Sequence, residues 1–232
     1  MEPVGGSTAS FAAMLAAVFV ASFALGAIPS ALWVGRAARG IDLRQHGSGN
    51  LGATNVYRVL GPKWGFLVLA LDAAKGAAAV LIAPGLAGLA GLVGPVSARA
   101  RDGAGVDWIW IVALLGAVLG HMFSPIVGFR GGKGVATAAG AWLAIVPSAA
   151  AFALGAWIVV FAWRRVVSLA SIVAAAVLPL ALIAARGLEP GDPILWTGFA
   201  IAALVILRHR ENIGRLIRGE ERVLTTPEKH VS

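Results

Sequence analysis

The sequence has no cysteine, which excludes a disulfide framework and a thiolate metal site. It is also poor in charge: 13% of its 232 residues are Asp, Glu, Lys or Arg, where a soluble protein carries about 25%. Acidic residues are the scarcer sign, 11 against 19 basic, for a formal net charge of +8. On a soluble surface that balance would suggest nucleic acid. Here the cations stand at the ends of apolar runs, so membrane orientation and phosphate binding explain them better and no nucleic acid partner is expected. The first ten residues, MEPVGGSTAS, hold Glu2 and no cation, so the basic start of a signal peptide is missing and the apolar run that follows reads as a retained span.

Apolar residues fill the rest. With 59% hydrophobic residues, the chain reads as an all-α integral membrane protein, a single polytopic domain over 1–232 whose polar tail, 220–232, is expected to fray. The uncharged run from Phe11 to Val34 is long enough to cross a hydrocarbon core of roughly 30 Å. Next comes a polar, basic stretch, then a short interfacial or partly inserted helix expected over Ala53–Leu71, then a crossing over Lys75–Val93. Gly94–Asp107 is a polar loop and Trp108–Phe129 a further span. The 30 uncharged residues between Lys133 and Arg164 are long for one crossing, and Pro147 and Ser148 midway suggest a hairpin. Val166–Ala185 and Ile194–Leu207 complete seven crossings. Gly116 and Gly120 provide the small surface that close helix packing in lipid needs.

The motif-bearing side then holds 15 of the 19 Lys and Arg, while Arg99, Arg101 and Arg186 lie opposite and Lys75 at the boundary. The excess of cations makes that side cytoplasmic, with the N-terminus outside and the C-terminus inside.

Three polar clusters interrupt the apolar chain. The first, HGSGNLGATNVYR (His46–Arg58), interleaves Gly47, Gly49 and Gly52 with Ser48, Asn50, Thr54 and Asn55, flanked by Arg44 and Arg58. A loop that merely joins spans rarely has this pattern. Glycine lets backbone N–H groups turn inward around an anion, and Arg58 can grip a phosphate with two parallel bonds. The second, RGGKGVAT, places Gly131, Gly132 and Gly134 beside Arg130 and Lys133 at the start of a helix, whose N-terminus itself favours anions. It is not a nucleotide-binding Walker loop, because Val127 stands at the leading glycine position and Gly134 follows Lys133. The third, RHRENI, puts His209 and Asn212 on one helical face. Its plain reading is a basic interfacial anchor; its chemical reading is a histidine that polarises a hydroxyl or accepts its proton. Glu211 is expected to pair with Arg208 or Arg215.

Other polar residues within spans are open to two readings. Asp72 and Lys75 form either a buried pair or part of the site lining. Ser168 and Ser171 make either helix–helix hydrogen bonds or substrate contacts, and His121 is expected to be a packed, hydrogen-bonded residue. No histidine is followed by aspartate five positions on: Leu51, Ile126 and Gly214 stand there, and His230 is too near the end. An HxxxxD dyad is therefore absent, as are a Ser-His-Asp elbow and a metal-ligand cluster, so no metal or cofactor is expected.

GSGNLGATN with Arg58 downstream, FRGGKGVAT and RHRENI occur in the same order as in the bacterial acyl-phosphate-dependent glycerol-3-phosphate acyltransferases, the PlsY family, which the chain resembles over nearly its whole length. IPSALWVGR, DAAKG, GHMFSPIVGF and VSLASI are similar too. Departures are small: Arg130 stands where lysine is frequent, and Ser124-Pro125 replaces a commoner Phe-Pro.

The resemblance implies a seven-span bacterial inner-membrane enzyme that moves a fatty acyl group from acyl phosphate to the 1-hydroxyl of sn-glycerol 3-phosphate, giving lysophosphatidic acid and phosphate. It also implies that Ser48, Arg58, His209 and Asn212 are needed for activity, that the second-motif glycines bind glycerol phosphate, and that Glu211 supports structure. Acyl phosphate, glycerol 3-phosphate and membrane lipid are the expected partners, and nothing in the sequence requires more than a monomer. The proton acceptor is either His209 or a substrate phosphate oxygen. A phosphate or organophosphate transporter is the rival reading, although transporters usually show internal repeats and a midplane site.

Overall fold

The structure, a computed structural model, describes residues 8–89 and 104–225. Arg99, Arg101, most of the expected 94–107 loop, the end of the 75–93 span, and the tail from 226 with His230 lie outside the described residues.

The first apolar run forms two helices where one was expected, α1 (Thr8–Gly26) and α2 (Ser30–Arg39). Pro29 lacks an N–H and disfavours helical geometry at the residue before it, which breaks the run at 27–29. Such a break frees carbonyls that apolar surroundings cannot satisfy. Ser124 Oγ donates to the Ala27 carbonyl at 2.6 Å and Lys75 Nζ to that of Ile28 at 2.9 Å. Lys75 is thereby a structural residue that ties the break to another helix.

The segment after the first motif is also divided differently from the expectation. α3 (Ala53–Leu60) stops at Gly61, whose φ of 96° ends the helix, and α4 (Pro62–Leu89) then runs unbroken through Asp72 and Lys75. The expected boundary near Leu71 does not exist, because the two charges satisfy each other inside the helix. Lys75 Nζ lies 2.9 Å from Asp72 Oδ1, and His121 Nδ1 approaches the same carboxylate at 3.6 Å. Removing one partner of such a buried pair typically costs about 3–5 kcal/mol.

α5 (Ala104–Met122) ends sooner than the expected Phe129, since Pro125 starts a short 3₁₀ turn over Pro125–Val127. α6 (Val135–Ile145) and α7 (Pro147–Arg164) meet at Val146, where the hairpin was expected. α8 (Val167–Arg186), α9 (Pro193–Arg208) and α10 (Arg210–Ile217) complete the described elements, Asp192 capping α9 by accepting from the Ile194 N–H at 2.8 Å.

Among the described residues, five segments are long and apolar enough to cross a membrane: 9–39, 62–88, 106–127, 147–164 and 167–186. α6, with 11 residues, and α9, with 16, are shorter, about 16 and 24 Å long at 1.5 Å per residue. Small residues hold the helices together. A Cβ on Gly120 would fall on the Phe23 carbonyl of α1, and Cβ atoms on Gly76 and Gly140 would each strike the backbone of the facing helix, which locks α4 against α6. Trp142, Leu114, Leu182, Leu195 and Ile201 form the buried core. Leu81, Phe152, Val159, Trp163 and Leu180 point outward as a hydrocarbon-facing surface. Lys63 over Trp64 and Arg164 over Trp163, each 5.1 Å from the ring, anchor helix ends at an interface.

Candidate active site

All three motifs border one cavity of about 690 Å³. Ser48, Gly49, Asn50, Thr54, Asn55 and Arg58 reach it from the first motif, Arg130, Gly131, Lys133 and Gly134 from the second, and His209, Glu211 and Asn212 from the third. Asp72, Ser168 and Ser171 also border it, whereas Gly47, Gly132 and Lys75 do not. Away from this polar mouth the cavity extends between α6, α7, α8 and α9, with Trp142, Ala153, Trp157, Ala175, Leu178 and Ala202 on its walls. One end suits anions and the other hydrocarbon.

The first motif is shaped by Asn55, which is 2% exposed. Its Nδ2 donates to the Leu43 and His46 carbonyls at 3.3 and 3.1 Å, and its Oδ1 accepts the Ser48 N–H at 2.8 Å. The amide proposed from sequence as a phosphate ligand is thus occupied in holding the loop. Gly47 and Gly49 have φ of 64° and 69°, and a Cβ on Gly47 would overlap Asn55 Oδ1, so Gly47 makes room for that clasp. Arg44 is turned away to Asp42 at 2.5 Å. Arg58, not Arg44, supplies the first motif's cation to the cavity.

The second motif was expected to hold an anion with its glycines, and two of the three serve packing instead. Its Gly131 and Gly132 N–H groups donate to the Met122 and His121 carbonyls at 3.1 and 3.2 Å, closing the end of α5. Their carbonyls accept from Arg208, at 3.2 and 3.0 Å. A Cβ on Gly132 would run into the His121 ring. These two glycines let the loop lie flat on α5, and the groups left for an anion are Arg130, Lys133 and the start of α6 behind Gly134, whose φ is 78°.

Lys133 Nζ donates a short bond to Asn212 Oδ1. Burial is the main influence on this ammonium and pulls it down to about 8; Glu221 and Glu211 oppose the shift, and Arg215 and Arg58 add to it. His209, 2% exposed, has Nδ1 2.8 Å from the Val205 carbonyl. Since a carbonyl only accepts, Nδ1 carries the proton and Nε2 is the nitrogen able to accept. Burial, reinforced by Lys133 and Arg208, lowers this imidazole to about 4, leaving it neutral at pH 7.

Glu211 is exposed and forms neither expected ion pair; Arg208 serves the glycine carbonyls and Arg215 Nε pairs with Glu221 Oε2 at 2.7 Å. The carboxylate that organises this corner is Glu221, in the tail expected to fray. Its Oε1 accepts from Asn212 Nδ2 at 2.6 Å and from Ser168 Oγ at 2.8 Å. Ser171 instead makes helix contacts, donating to the Val167 carbonyl and accepting from Trp157. Burial pushes Glu221 up, but hydrogen bonds from Asn212, Arg215 and Ser168 outweigh it and hold the carboxyl below its ordinary value. Sequence carried no sign of this beyond an acidic pair following a basic helix, because the contacts span as many as 53 positions.

Comparison with known proteins gives the family. The sequence model of the glycerol-3-phosphate acyltransferase family matches residues 16–219. A glycerol-3-phosphate acyltransferase of Anaeromyxobacter sp. (strain K) is 41% identical over 211 residues, covering 90% of this chain and 97% of that one. The enzyme of the same name from Aquifex aeolicus is 45% identical over 186 residues, 79% of this chain and 85% of its own. Crystal structures of PlsY, an integral membrane glycerol 3-phosphate acyltransferase, in glycerol 3-phosphate and lysophosphatidic acid forms, superpose with TM-scores of 0.74 and 0.73 at 39% identity, covering 91% of this chain and 96% of theirs. The chain therefore belongs to the glycerol-3-phosphate acyltransferase family and is an integral membrane acyltransferase.

Proposed function

We propose that this acyltransferase moves a fatty acyl group from acyl phosphate to the 1-hydroxyl of sn-glycerol 3-phosphate, releasing lysophosphatidic acid and inorganic phosphate. The observation that carries the reading is the two-ended cavity, cationic where three distant motifs meet and apolar between four helices. Both substrates carry a phosphate and only one a long chain, which fits a polar mouth with a single apolar arm. The forms named for the similar PlsY structures, glycerol 3-phosphate and lysophosphatidic acid, are a substrate and the product of this reaction.

Acyl phosphate is a mixed anhydride with a good leaving group, so the hydroxyl attacks the carbonyl directly and no covalent enzyme intermediate is needed. Arg58 and Lys133 bind phosphate oxygens, and Ser48, Asn50 and Thr54 with the first-motif backbone donate further bonds. Fixing both phosphates holds hydroxyl and carbonyl in reacting geometry, a large part of the rate. His209 Nε2 accepts a bond from the hydroxyl and Asn212 helps place it. An imidazole with a pKa of about 4 is a weak base, which favours a phosphate oxygen as final proton acceptor, since phosphate monoesters titrate near about 6. Cations and N–H groups then stabilise the tetrahedral oxyanion and departing phosphate.

In the membrane the chain forms one domain with seven crossings, α6 and α9 being the short ones. The motif face is cytoplasmic, the N-terminus external and the membrane the bacterial inner membrane; the distribution of Lys and Arg supports this. All three motifs come from one chain, so a monomer carries a complete site. Purified protein in detergent, given palmitoyl phosphate and labelled glycerol 3-phosphate, is expected to form lysophosphatidic acid and phosphate, with palmitoyl-CoA inert. Absence of the new ester would refute the reading and revive transport, which needs two compartments and makes no bond.

A further inference from the structure

Residues 220–225 follow α10 as an irregular strap that returns across the polar mouth of the cavity. Three of its oxygens face the groups assigned above to substrate or their neighbours. Glu221 Oε1 takes Ser168 Oγ and Asn212 Nδ2, Glu221 Oε2 takes Arg215 Nε, and the Arg222 carbonyl accepts from Arg58 at 3.2 Å. The strap is held at its far end by the Leu224 N–H on the Arg165 carbonyl at 2.8 Å.

Every one of these contacts at the mouth uses the strap as acceptor and the cavity as donor. That is also the pattern a phosphate dianion presents: several oxygens, negative charge and no hydrogen to give. Glu221 is partly buried, with 6% of its side chain exposed, and lies close enough to Lys133 to influence its titration. A phosphate dianion in the same small space would meet repulsion from the carboxylate and would need Arg58, which the Arg222 carbonyl holds, so strap and phosphate compete for this end of the cavity.

We propose that the 220–225 strap is a displaceable internal occupant of the phosphate end of the cavity, with Glu221 standing in for a substrate phosphate that exchanges with it. The inference rests on the substrate reading above and adds a residue that sets apparent affinity. If only a fraction of molecules has the strap released, the measured dissociation constant is the intrinsic one divided by that fraction. Replacing Glu221 by glutamine keeps the shape and an acceptor oxygen but removes the charge that draws Arg215 and the other donors. Release becomes easier, and KM for the competing substrate is expected to fall about tenfold. A purely structural role predicts the opposite, a raised KM and a lowered kcat.

The absence of cysteine permits a direct test that leaves Glu221 intact. Val223, 48% exposed, is changed to cysteine (Val223→Cys) and carries a nitroxide spin label, whose mobility is followed by electron paramagnetic resonance in detergent. Glycerol 3-phosphate, palmitoyl phosphate and glycerol are titrated separately. Mobilisation by either phosphate compound, saturating near its KM, supports exchange and identifies which phosphate displaces the strap. Mobilisation by glycerol, or by none of the three while the labelled protein still makes lysophosphatidic acid, overturns it. Product formation measured on the same preparation keeps the two ideas apart, since a productive enzyme with an unmoved strap refutes the exchange and leaves the reaction standing.

Discussion

Lys133 ties the second motif to the third, and its position permits a quantitative test by pH. Burial places its ammonium at about 8 rather than the ordinary 10.5. Phosphate binding needs the protonated form, so KM for the phosphate substrate whose oxygens it holds should follow the fraction protonated in the free enzyme. Relative to its low-pH floor, KM is expected about 1.1-fold higher at pH 7, about 2-fold at pH 8 and about 11-fold at pH 9. The substrate does not confound the rise between pH 8 and 9, because a phosphate monoester has its second pKa at about 6 and is almost wholly dianionic above about pH 8.

Unfolding does not confound it either. Between about 8 and 10.5 the unfolded chain holds a proton on Lys133 that the folded chain has released, so this residue's contribution to stability increases with pH there. Thermal unfolding in detergent at each pH checks that separately. Lys133→Arg keeps a charge through the window and should remove the inflection. Lys133→Met should raise KM about 10- to 150-fold, the worth of one charge-assisted bond. The assay is initial-rate formation of lysophosphatidic acid from palmitoyl phosphate and varied glycerol 3-phosphate, repeated with palmitoyl phosphate varied. A wild-type KM flat to pH 9.5 for both substrates, or a Lys133→Arg enzyme that keeps the inflection, refutes the assignment.

Three further outcomes follow from other parts of the site. His209→Gln should stay within about tenfold of wild type while His209→Ala loses about 10² or more, and because the imidazole sits at about 4 the wild-type rate should show no histidine limb between pH 6 and 8; pH–rate profiles of the three proteins decide this. Asn55→Ala removes three loop-closing hydrogen bonds, expected to cost about 3 kcal/mol in the thermal stability of the detergent-solubilised protein, and a change below about 0.5 kcal/mol would contradict the clasp. Ala153→Phe, on the wall of the apolar arm, should shift preference toward shorter acyl phosphates when kcat/KM is compared across chain lengths, with little change in KM for glycerol 3-phosphate.

The sequence by itself determined the membrane class, the helical content and a phosphate-binding face, and the resemblance carried by its three motifs implied the acyl transfer. Apolar runs of spanning length are local, and three motifs rich in glycine, cations and Asn or Ser are too polar to lie in lipid without a function. The turn at Val146–Pro147 and the close faces at Gly116 and Gly120 were legible for the same reason, since each depends on residues near in the chain. Division of the runs was not: Pro29 splits the first, while Asp72 and Lys75 leave α4 whole, because a distant carbonyl and a distant histidine receive their polarity.

Tertiary structure alone decided which polar groups are left for substrate. Asn55 and the Gly131 and Gly132 amides look like anion ligands in sequence yet are used up by backbone partners. Glu221, which looked like the start of a loose tail, joins Ser168, Asn212 and Arg215. Hydrogen-bonding capacity is finite, and how a side chain spends it depends on neighbours that only the folded chain brings within hydrogen-bonding reach.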